Sequence, residues 1–303
     1  MSILVVGSLG LDSIETPHSS VKDALGGSAV YISISASYFS QNINLVGVVG
    51  SDFPDEYLQL LHNREVNLEG LQIVENERTF RWSCRYDCDM NSRETLRTEL
   101  NVFKNFKPII PESYCESKYI VLGNIDPELQ IYVLNHLKNP KFIICDTMNY
   151  WIERKYEVLC ELLTKVNLLL LNDLEARLLA KEFNLIRAGR SILKMGPQII
   201  LIKKGEHGAL MMTEDNYFIA PAYPLENIQD PTGAGDSFAG GLIGYIAKVG
   251  SFDKETLKRA VVYGSVMASF CVEKFSVDGL ISLNDDNITE RFHQFYGLTH
   301  FEV

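Results

Sequence analysis

The chain has 303 residues, of which 46% are hydrophobic and 22% are charged, an ordinary composition for a soluble globular protein. Its formal net charge of −11 argues against broad binding to nucleic acids or anionic membranes, because such binding requires a basic surface. No apolar run reaches the ~18 residues of a membrane span, and residues 1–7 lack the basic start and cleavage site of a signal peptide. We therefore expect a cytoplasmic enzyme.

Short segments rich in Val, Ile and Leu alternate along the chain with segments of helical periodicity. The predicted strands cover residues 3–6, 44–49, 119–122, 142–145, 168–171, 199–203 and 209–212. The predicted helices cover residues 29–39, 55–63, 127–137, 155–165, 174–183, 188–195, 237–249, 254–273 and 286–295. This alternation predicts a parallel sheet with helices on both faces.

Several predicted strands end in glycine or polar residues, namely at Gly123-Asn124, Asp146-Thr147, Asn172-Asp173 and Lys204-Gly205. In an open α/β sheet, ligands bind in the crevice beyond the carboxyl ends of the strands. We therefore expect these endings to face one crevice.

Two segments, residues 13–25 and 70–106, depart from this pattern. The first is short and polar, and the second alternates over a long stretch that is rich in Thr, Arg, Tyr and Phe. Such alternation predicts antiparallel strands with one wet face. The two segments are expected to form a small sheet that acts as a lid; a surface hairpin without function is the alternative.

The six cysteines are scattered, and only Cys84 and Cys88 lie close together in the sequence. No group of His or Cys follows them at the spacing of a zinc finger. We expect reduced thiols and no zinc site.

The most informative segment is the run Asp230-Pro231-Thr232-Gly233-Ala234-Gly235-Asp236, which leads directly into an apolar helix of small residues. Backbone N–H groups at a helix N-terminus attract an anion. Asp236 stands where it can remove a proton beside that anion, although a helix N-cap is a common role for Asp. Glycines inside the helix, at Gly240, Gly241 and Gly244, lower helix stability, so we expect that they serve close packing or binding.

This run resembles the C-terminal signature of the PfkB (ribokinase-like) family of carbohydrate and nucleoside kinases. Further segments resemble that family in the expected order and cover nearly the whole chain: Gly7 to Asp12, Gly26-Gly27-Ser28-Ala29, Val46 to Phe53, Asn172-Asp173-Leu174-Glu175 and Lys203 to Ala209. The resemblance implies a single ribokinase-like domain over residues 1–303. Its expected fold is a three-layer α/β/α sandwich with a mostly parallel central sheet and a small β-sheet lid.

The resemblance implies that Asp236 is the catalytic base for a substrate hydroxyl. Gly233, Ala234 and Gly235 are expected to supply the N–H groups of the anion hole. Asn172 and Glu175 are expected to order a network of Mg²⁺, phosphate and water, which suits an ion that keeps several waters. The same two residues also fit a helix capping box, which explains their spacing equally well.

On the ATP side, the resemblance implies that Lys203, Gly205 and Gly208 lie beside the nucleotide, with Ala268 in the wall of the adenine pocket. We place Lys203 rather than Lys204 at the phosphates. The alternative for Lys203 is an ordinary solvated lysine at a strand end, and the alternative for Ala268 is ordinary helix packing. Asp230 and Thr232 occupy the region where some members bind a monovalent cation such as K⁺, and turn formation is the alternative.

On the acceptor side, Asp12 is the best candidate, because a carboxylate can accept hydrogen bonds from two sugar hydroxyls; an Asx turn is the alternative. Gly26 and Gly27 are expected to let the backbone approach the sugar. Ribokinase has a lysine and a sugar-binding asparagine where this chain has Ser28 and Tyr31, so ribose specificity does not transfer.

Other side chains are also expected near the acceptor. Asn124 and Asn149 follow strands and complete the predicted acceptor site. Arg81 and Tyr86 have a possible role from the lid, although exposed strand positions explain them as well.

Together these features predict an ATP-dependent kinase that phosphorylates a primary hydroxyl of a sugar or sugar-like compound. A ribonucleoside kinase, for which Tyr31, Phe80 and Trp82 offer an aromatic wall, is the alternative within the family. A non-catalytic sugar or nucleotide sensor is the alternative of another class, and the intact Asp236 loop weighs against it. A homodimer through the lid is expected, because the apolar side of residues 80–86 requires a cover.

Overall fold

A computed structural model describes residues 1–300 of the chain, so residues 301–303 of the predicted domain lie outside this description. Its larger sheet has nine strands. They are β1 (Ile3–Val6), β4 (Ile43–Gly50), β5 (Val66–Val74), β8 (Tyr119–Leu122), β9 (Phe142–Asp146), β10 (Leu168–Asn172), β11 (Ile199–Lys203), β12 (Ala209–Met212) and β13 (Tyr217–Ala220). The spatial order is β13-β12-β11-β10-β9-β8-β1-β4-β5, parallel from β11 to β5 and antiparallel at the β12 and β13 edge.

All the predicted strands belong to this sheet, which contains β5 and β13 in addition. The expected lid segment 70–106 therefore begins too early, because residues 70–74 belong to β5 and pair in parallel with β4. As an edge strand β5 is buried only in part, at Val66 and Gly70 among others. Its mixed polar and apolar sequence thus resembles that of a strand in a small, wet sheet.

Helices cover both faces of the large sheet. They are α1 (Ser28–Ser37), α2 (Asp55–Asn63), α3 (Pro127–Leu134), α4 (Asn149–Arg154), α5 (Tyr156–Leu163), α6 (Asp173–Ala180), α7 (Leu185–Leu193), α8 (Ala234–Val249), α9 (Lys254–Cys271), α10 (Asp278–Ile281) and α11 (Asp285–Thr299). The helices α1, α2 and α8–α11 share one hydrophobic core with the sheet, and α3–α7 share the other. This is the predicted three-layer α/β/α sandwich. Within residues 1–300, none of the helices has the length and apolar character needed to cross a membrane.

The smaller sheet contains the strands β2 (Gly10–Glu15), β3 (Ser20–Gly26), β6 (Phe80–Tyr86) and β7 (Arg93–Glu99), in the order β3-β2-β6-β7. Its inner face buries Ile14, Cys84 and Tyr86, which pack with Phe275 from the main body. The apolar side of residues 80–86 is thus covered by the chain itself, so the reason for expecting a partner there does not hold. A homodimer through this sheet stays a prediction.

The glycines of α8 permit a close approach to α1 and α9. A Cβ atom on Gly240 would overlap the carbonyl oxygen of Ile32, and one on Gly241 would lie 2.8 Å from the carbonyl oxygen of Tyr263. Both obstacles are backbone atoms that cannot rotate away. The expected packing role of these glycines is confirmed.

We predict that Gly240→Ala destabilises the protein by about 1–3 kcal/mol, since overpacking against the backbone outweighs the better helix propensity of alanine. Gly297 on α11 is the matched control, because a Cβ atom there would meet nothing within 4 Å. Gly297→Ala should stabilise by about 0.5–1 kcal/mol. Urea unfolding followed by circular dichroism measures both changes, and equal effects in the two variants would contradict this account of α8.

Candidate active site

The site is built at the carboxyl ends of three neighbouring strands, β9, β10 and β11. These strands end at Asp146, Asn172 and Lys203, and Asn172 pairs with Lys203 in the register of the sheet. Because parallel strands end at one edge, the three polar side chains face a common crevice. The phosphate loop, which we define as residues 230–236, lies against this edge.

The phosphate loop has backbone donors that are unpaired at the N-terminus of α8 in the described residues. Gly233 is the N-cap of α8 with φ of 77°, a left-handed conformation that favours glycine. Among residues 1–300, the N–H groups of Gly235 and Asp236 have no hydrogen-bond acceptor, whereas Ala234 N–H donates to the carbonyl oxygen of Pro231 at 3.2 Å. In this structure Ala234 N–H is thus engaged within the turn, whereas Asp236 N–H is a further available donor among the described residues. The anion hole predicted from Gly233, Ala234 and Gly235 stays a prediction.

Lys203 brings a positive charge to this loop. Its Nζ lies 3.2 Å from Asp146 Oδ2, and a Cβ atom on Gly235 would lie only 2.9 Å from the same nitrogen. No comparable contact ties Lys204 to the loop in the described part of the chain. The choice of Lys203 over Lys204 thus agrees with the geometry, and its role at a phosphate stays a prediction.

Asp236 lies in the first turn of α8, among other carboxylates. Burial and the negative charge of Asp146 raise the pKa of Asp236 to about 7, against the opposing effect of Lys203 and Arg93. A carboxyl group with this pKa exchanges a proton readily near neutral pH, as a general base requires.

Asn172 and Glu175 form a helix capping box, the alternative noted from the sequence. Asn172 Oδ1 accepts from Glu175 N–H at 2.8 Å, and Glu175 Oε2 accepts from Asn172 N–H at 2.7 Å. Within residues 1–300, Glu175 Oε1 has no hydrogen-bond partner. Burial and Asp146 raise the pKa of Glu175 to about 7, against the effect of Lys203. The cap is therefore compatible with a second role for the remaining oxygen.

Asp12 lies on β2 with its carboxylate against Gly26, and only 4% of the residue is exposed. Burial, followed by Asp230 and Asp236, raises the pKa of Asp12 to about 8, whereas Arg93 lowers it. A side chain on Gly26 would overlap the Asp12 carboxylate. The negative charge of Asp236 therefore influences the protonation of Asp12.

Ser28, predicted among the substrate-binding residues, and Tyr31 both contact other parts of the protein, and the substrate contact of Ser28 stays a prediction. Ser28 Oγ accepts from Ser8 N–H at 3.1 Å and holds the loop after β1. Tyr31 is 1% exposed, its ring lies where a Gly233 side chain would project, and its hydroxyl has no partner in the described chain. Tyr31 therefore supports the phosphate loop, whereas Gly27 remains beside the cleft with a left-handed backbone.

The two asparagines predicted at the acceptor have different surroundings. Asn124 Oδ1 accepts from Trp151 Nε1 at 3.0 Å, which fixes its side chain. Asn149 begins α4 and is exposed, without a hydrogen bond from its side chain to another described residue. The structure does not join either of them to Asp12, and their acceptor contacts stay predictions.

Asp230 is fully buried behind the phosphate loop. Its carboxylate accepts from the N–H groups of Thr232 at 2.9 Å and Ser276 at 3.3 Å, and no cationic side chain of residues 1–300 forms an ion pair with it. Burial raises its pKa. A buried carboxylate without a cationic partner is compatible with the predicted cation site. Its hydrogen bonds to the backbone are equally compatible with the alternative, in which Asp230 stabilises a turn.

Two of the predicted ATP-binding residues, Gly205 and Gly208, lie in the turn after β11. Gly205 and Gly208 both have positive φ, and Asn91 from the lid hairpin approaches Gly205, where a Cβ atom would lie 2.9 Å from Asn91 Oδ1. Ala268 is half-buried on α9 and packs against the core. Its place in an adenine pocket stays a prediction.

The lid contributes residues that the sequence did not single out as a group. Arg81 pairs with Asp23 and Asp52, whereas Tyr86 Oη lies 3.1 Å from Thr232 Oγ1 in the phosphate loop. Trp82 and Arg93 were missed as partners, and the Arg93 Cζ lies 5.2 Å from the centre of the Trp82 ring. Asp146 was expected at the crevice from its strand end, but no role was assigned to it from the sequence, and its contact with Lys203 is new.

Comparisons with known proteins agree with this geometry. The family model of the pfkB family carbohydrate kinases matches residues 2–282. The chain is 30% identical over 252 residues to a cytidine kinase of Thermococcus kodakarensis, covering 81% of this chain and 88% of the relative. It is 25% identical over 262 residues to a nucleoside kinase of Methanocaldococcus jannaschii, covering 86% of this chain and 82% of the relative.

The fold is also that of solved kinases. The structure of a Burkholderia thailandensis nucleoside kinase in complex with inosine superimposes with a TM-score of 0.80, at 19% identity and with 98% of each chain covered. The chain therefore belongs to the pfkB family of carbohydrate kinases, which are phosphotransferases with an alcohol group as acceptor.

Proposed function

We propose that this chain is an ATP-dependent nucleoside kinase that phosphorylates a primary hydroxyl on the sugar of its substrate. The observation that carries the proposal is the register of β2 and β6, in which Asp12 lies directly beside Trp82. Paired residues of neighbouring strands point to the same face of a sheet. A carboxylate for sugar hydroxyls and an aromatic ring for a base thus stand side by side at the crevice.

The relatives favour a nucleoside as the substrate. From the sequence alone, a sugar or sugar-like compound was the first expectation. The two similar curated proteins described above are a cytidine kinase and a nucleoside kinase. A free sugar has no aromatic part that would use Trp82. The half-buried indole, which also approaches Thr95 Oγ1 through Nε1 at 3.4 Å, offers a base a fixed surface.

The residues of the crevice fit a direct transfer to the acceptor. Asp12 orients the sugar by accepting hydrogen bonds from its hydroxyls, and Asp236 takes the proton of the attacking hydroxyl. The free N–H groups of Gly235 and Asp236, with Lys203 beside them, stabilise the negative charge of the transferring phosphoryl group. Closure of the small sheet over the crevice excludes water.

Mg²⁺ with ATP fits the residues at the end of β10. Glu175 Oε1 is unbound while Oε2 holds the helix cap, and a magnesium ion that retains its waters needs such an oxygen acceptor. When bound, Mg²⁺ supplies charge neutralisation at the phosphates. Asn172 keeps Glu175 in place through the capping box.

A monovalent cation such as K⁺ fits the surroundings of Asp230. A buried carboxylate without a cationic partner is costly. A cation at Asp230 and Thr232 would neutralise it directly behind the anion hole.

We predict that Asp236→Asn lowers kcat by about 10²- to 10⁴-fold, because the general base is lost. Binding of Mg-ATP, measured by titration calorimetry, should remain. The matched control is Asp286→Asn on α11, which is exposed and distant from the crevice. Near-normal turnover by Asp236→Asn with intact Mg-ATP binding would exclude this role.

The pH profile gives a second prediction. Because Asp236 acts as a base and its pKa is raised to about 7, kcat/KM should fall as the pH drops through that value. Asp146→Asn removes a negative neighbour and should move this midpoint to lower pH, whereas Lys203→Met removes a positive neighbour and should move it to higher pH. Midpoints that stay unchanged in both variants would refute the assignment.

Substitution of Trp82 tests whether the substrate is a nucleoside whose base stacks on this ring. Trp82→Leu should raise KM for the nucleoside about 10- to 100-fold, since stacking on an aromatic side chain contributes ~1–3 kcal/mol per base, and it should leave KM for ATP unaltered. Trp82→Phe keeps an aromatic ring and serves as the control. Turnover is compared across cytidine, uridine, adenosine, inosine, ribose and fructose; faster phosphorylation of the free sugars would reject the nucleoside proposal.

A further inference from the structure

Gln130 is a buried amide on the helix α3, and its side chain reaches the point where β8 and β9 end. The last pair in the register of these two strands is Leu122 with Cys145. The residues that follow, Gly123 and Asp146, lie beyond the ladder between β8 and β9. The side chain of Gln130 is therefore placed where the sheet no longer joins these two strands by itself.

The amide group of Gln130 joins the two strand ends instead. Its Nε2 donates to the carbonyl oxygen of Gly123 at 2.8 Å and to that of Asp146 at 3.1 Å. Carbonyl oxygens only accept, so the atom that faces them is the amide nitrogen. Its Oε1 faces the Cys145 thiol at 3.8 Å, and burial raises the pKa of this thiol, which stays protonated as a donor. The side chain is thus satisfied in one orientation.

Of the two strand ends, that of β8 is firmly held by its other neighbours. Gly123 N–H donates to the carbonyl oxygen of Val6 in β1 at 2.7 Å. A Cβ atom on Gly123 would lie 2.8 Å from Ser28 Oγ, so the backbone is closely packed there. Gly123 is therefore the fixed point from which the amide of Gln130 holds the carbonyl group of Asp146.

Asp146 connects this amide with the phosphate loop. Its buried carboxylate accepts from Thr147 N–H at 2.9 Å through Oδ1, and its Oδ2 lies 3.2 Å from Lys203 Nζ. The same nitrogen lies against Gly235, where a Cβ atom would be 2.9 Å away from it. The position of the Asp146 backbone thus influences where the Lys203 ammonium group stands beside the unpaired N–H of Gly235.

We propose that Gln130 is a positioning residue that, through Asp146, holds the Lys203 ammonium group beside the phosphate loop. This inference rests on the proposed function, in which Lys203 stabilises the transferring phosphoryl group. Without the amide of Gln130, the buried carbonyl oxygens of Gly123 and Asp146 lose two donors, and the strand ends must shift to find others. The carboxylate that holds Lys203 moves with its strand end.

The substitution Gln130→Met keeps the length of the side chain and removes its donors. It should lower kcat for the nucleoside about 10- to 100-fold, because a displacement of ~1 Å at a reactive group costs about that much. Gln130→Glu should keep part of the rate, since a carboxyl group that is buried among carbonyl oxygens stays neutral and donates one hydrogen bond. Val133→Ala is the matched control: Val133 is buried on the same helix, so its truncation lowers stability but should keep kcat.

A double-mutant cycle with Lys203→Met separates positioning from a merely structural role. If Gln130 acts through Lys203, adding Gln130→Met to Lys203→Met should change kcat by less than about twofold, because an absent charge cannot be misplaced. Effects that multiply in the double variant would overturn the inference. A kcat of Gln130→Met equal to that of Val133→Ala would overturn it as well.

Nucleotide binding provides the same cycle without turnover. With Mg²⁺ present, titration calorimetry with β,γ-methylene-ATP should show that Gln130→Met weakens the affinity about threefold or more in the unmodified chain and less than about twofold in Lys203→Met. Thermal unfolding shows whether each variant is folded. If Gln130→Met does not fold, Gln130→Glu takes its place in both cycles.

The results distinguish failure of this inference from failure of the proposed function. If the unmodified protein phosphorylates no acceptor of the panel, the proposed function fails, and the binding cycle still decides whether Gln130 positions Lys203. If the unmodified protein is active and the effects of Gln130→Met and Lys203→Met are independent, the inference is overturned and the proposed function stands.

Discussion

The close contact between α1 and α8 determines where the reactive groups stand. Gly240 brings the α8 backbone against Ile32, and the Tyr31 ring fills the space beside Gly233 at the N-terminus of the same helix. A rigid helix that is fixed at both points presents its unpaired N–H groups at one place over the sheet edge. The position of Asp236 follows from this packing, because it lies in the first turn of α8. The packing of α8 against α1 thus also fixes the positions of the groups that are proposed to act on the phosphate.

The crevice concentrates buried and half-buried carboxyl groups and has few cations to balance them. Asp12, Glu175 and Asp236 all have raised pKa values, which indicates that burial outweighs the nearby positive charges. Lys203 is held by Asp146, so its charge is partly compensated before any ligand arrives. This balance favours ligands that bring metal ions with their phosphates.

The sequence predicted those parts of the molecule in which local chemistry and tertiary position agree. The buried strands are apolar runs such as Leu168–Asn172, and the phosphate loop is a continuous motif, so both were found. Residues 70–74 of the edge strand Val66–Val74 were placed in the lid, because a half-exposed strand has the same alternating pattern in either sheet. Arg93 was missed for a related reason: its position depends on the register with Tyr86, which pairing decides and composition does not. The engaged N–H group of Ala234 was equally invisible, since the motif gives residue types and not the turn that Pro231 closes.

The raised pKa of Asp12 has a consequence for how the acceptor is held. At about 8 it keeps this carboxyl group mostly protonated in the ligand-free chain at neutral pH. Sugar hydroxyl groups donate more strongly to a carboxylate than to its neutral acid. If Asp12 binds the acceptor as proposed, occupation of that site releases a proton into the solvent, and the heat of acceptor binding then varies with the ionisation enthalpy of the buffer.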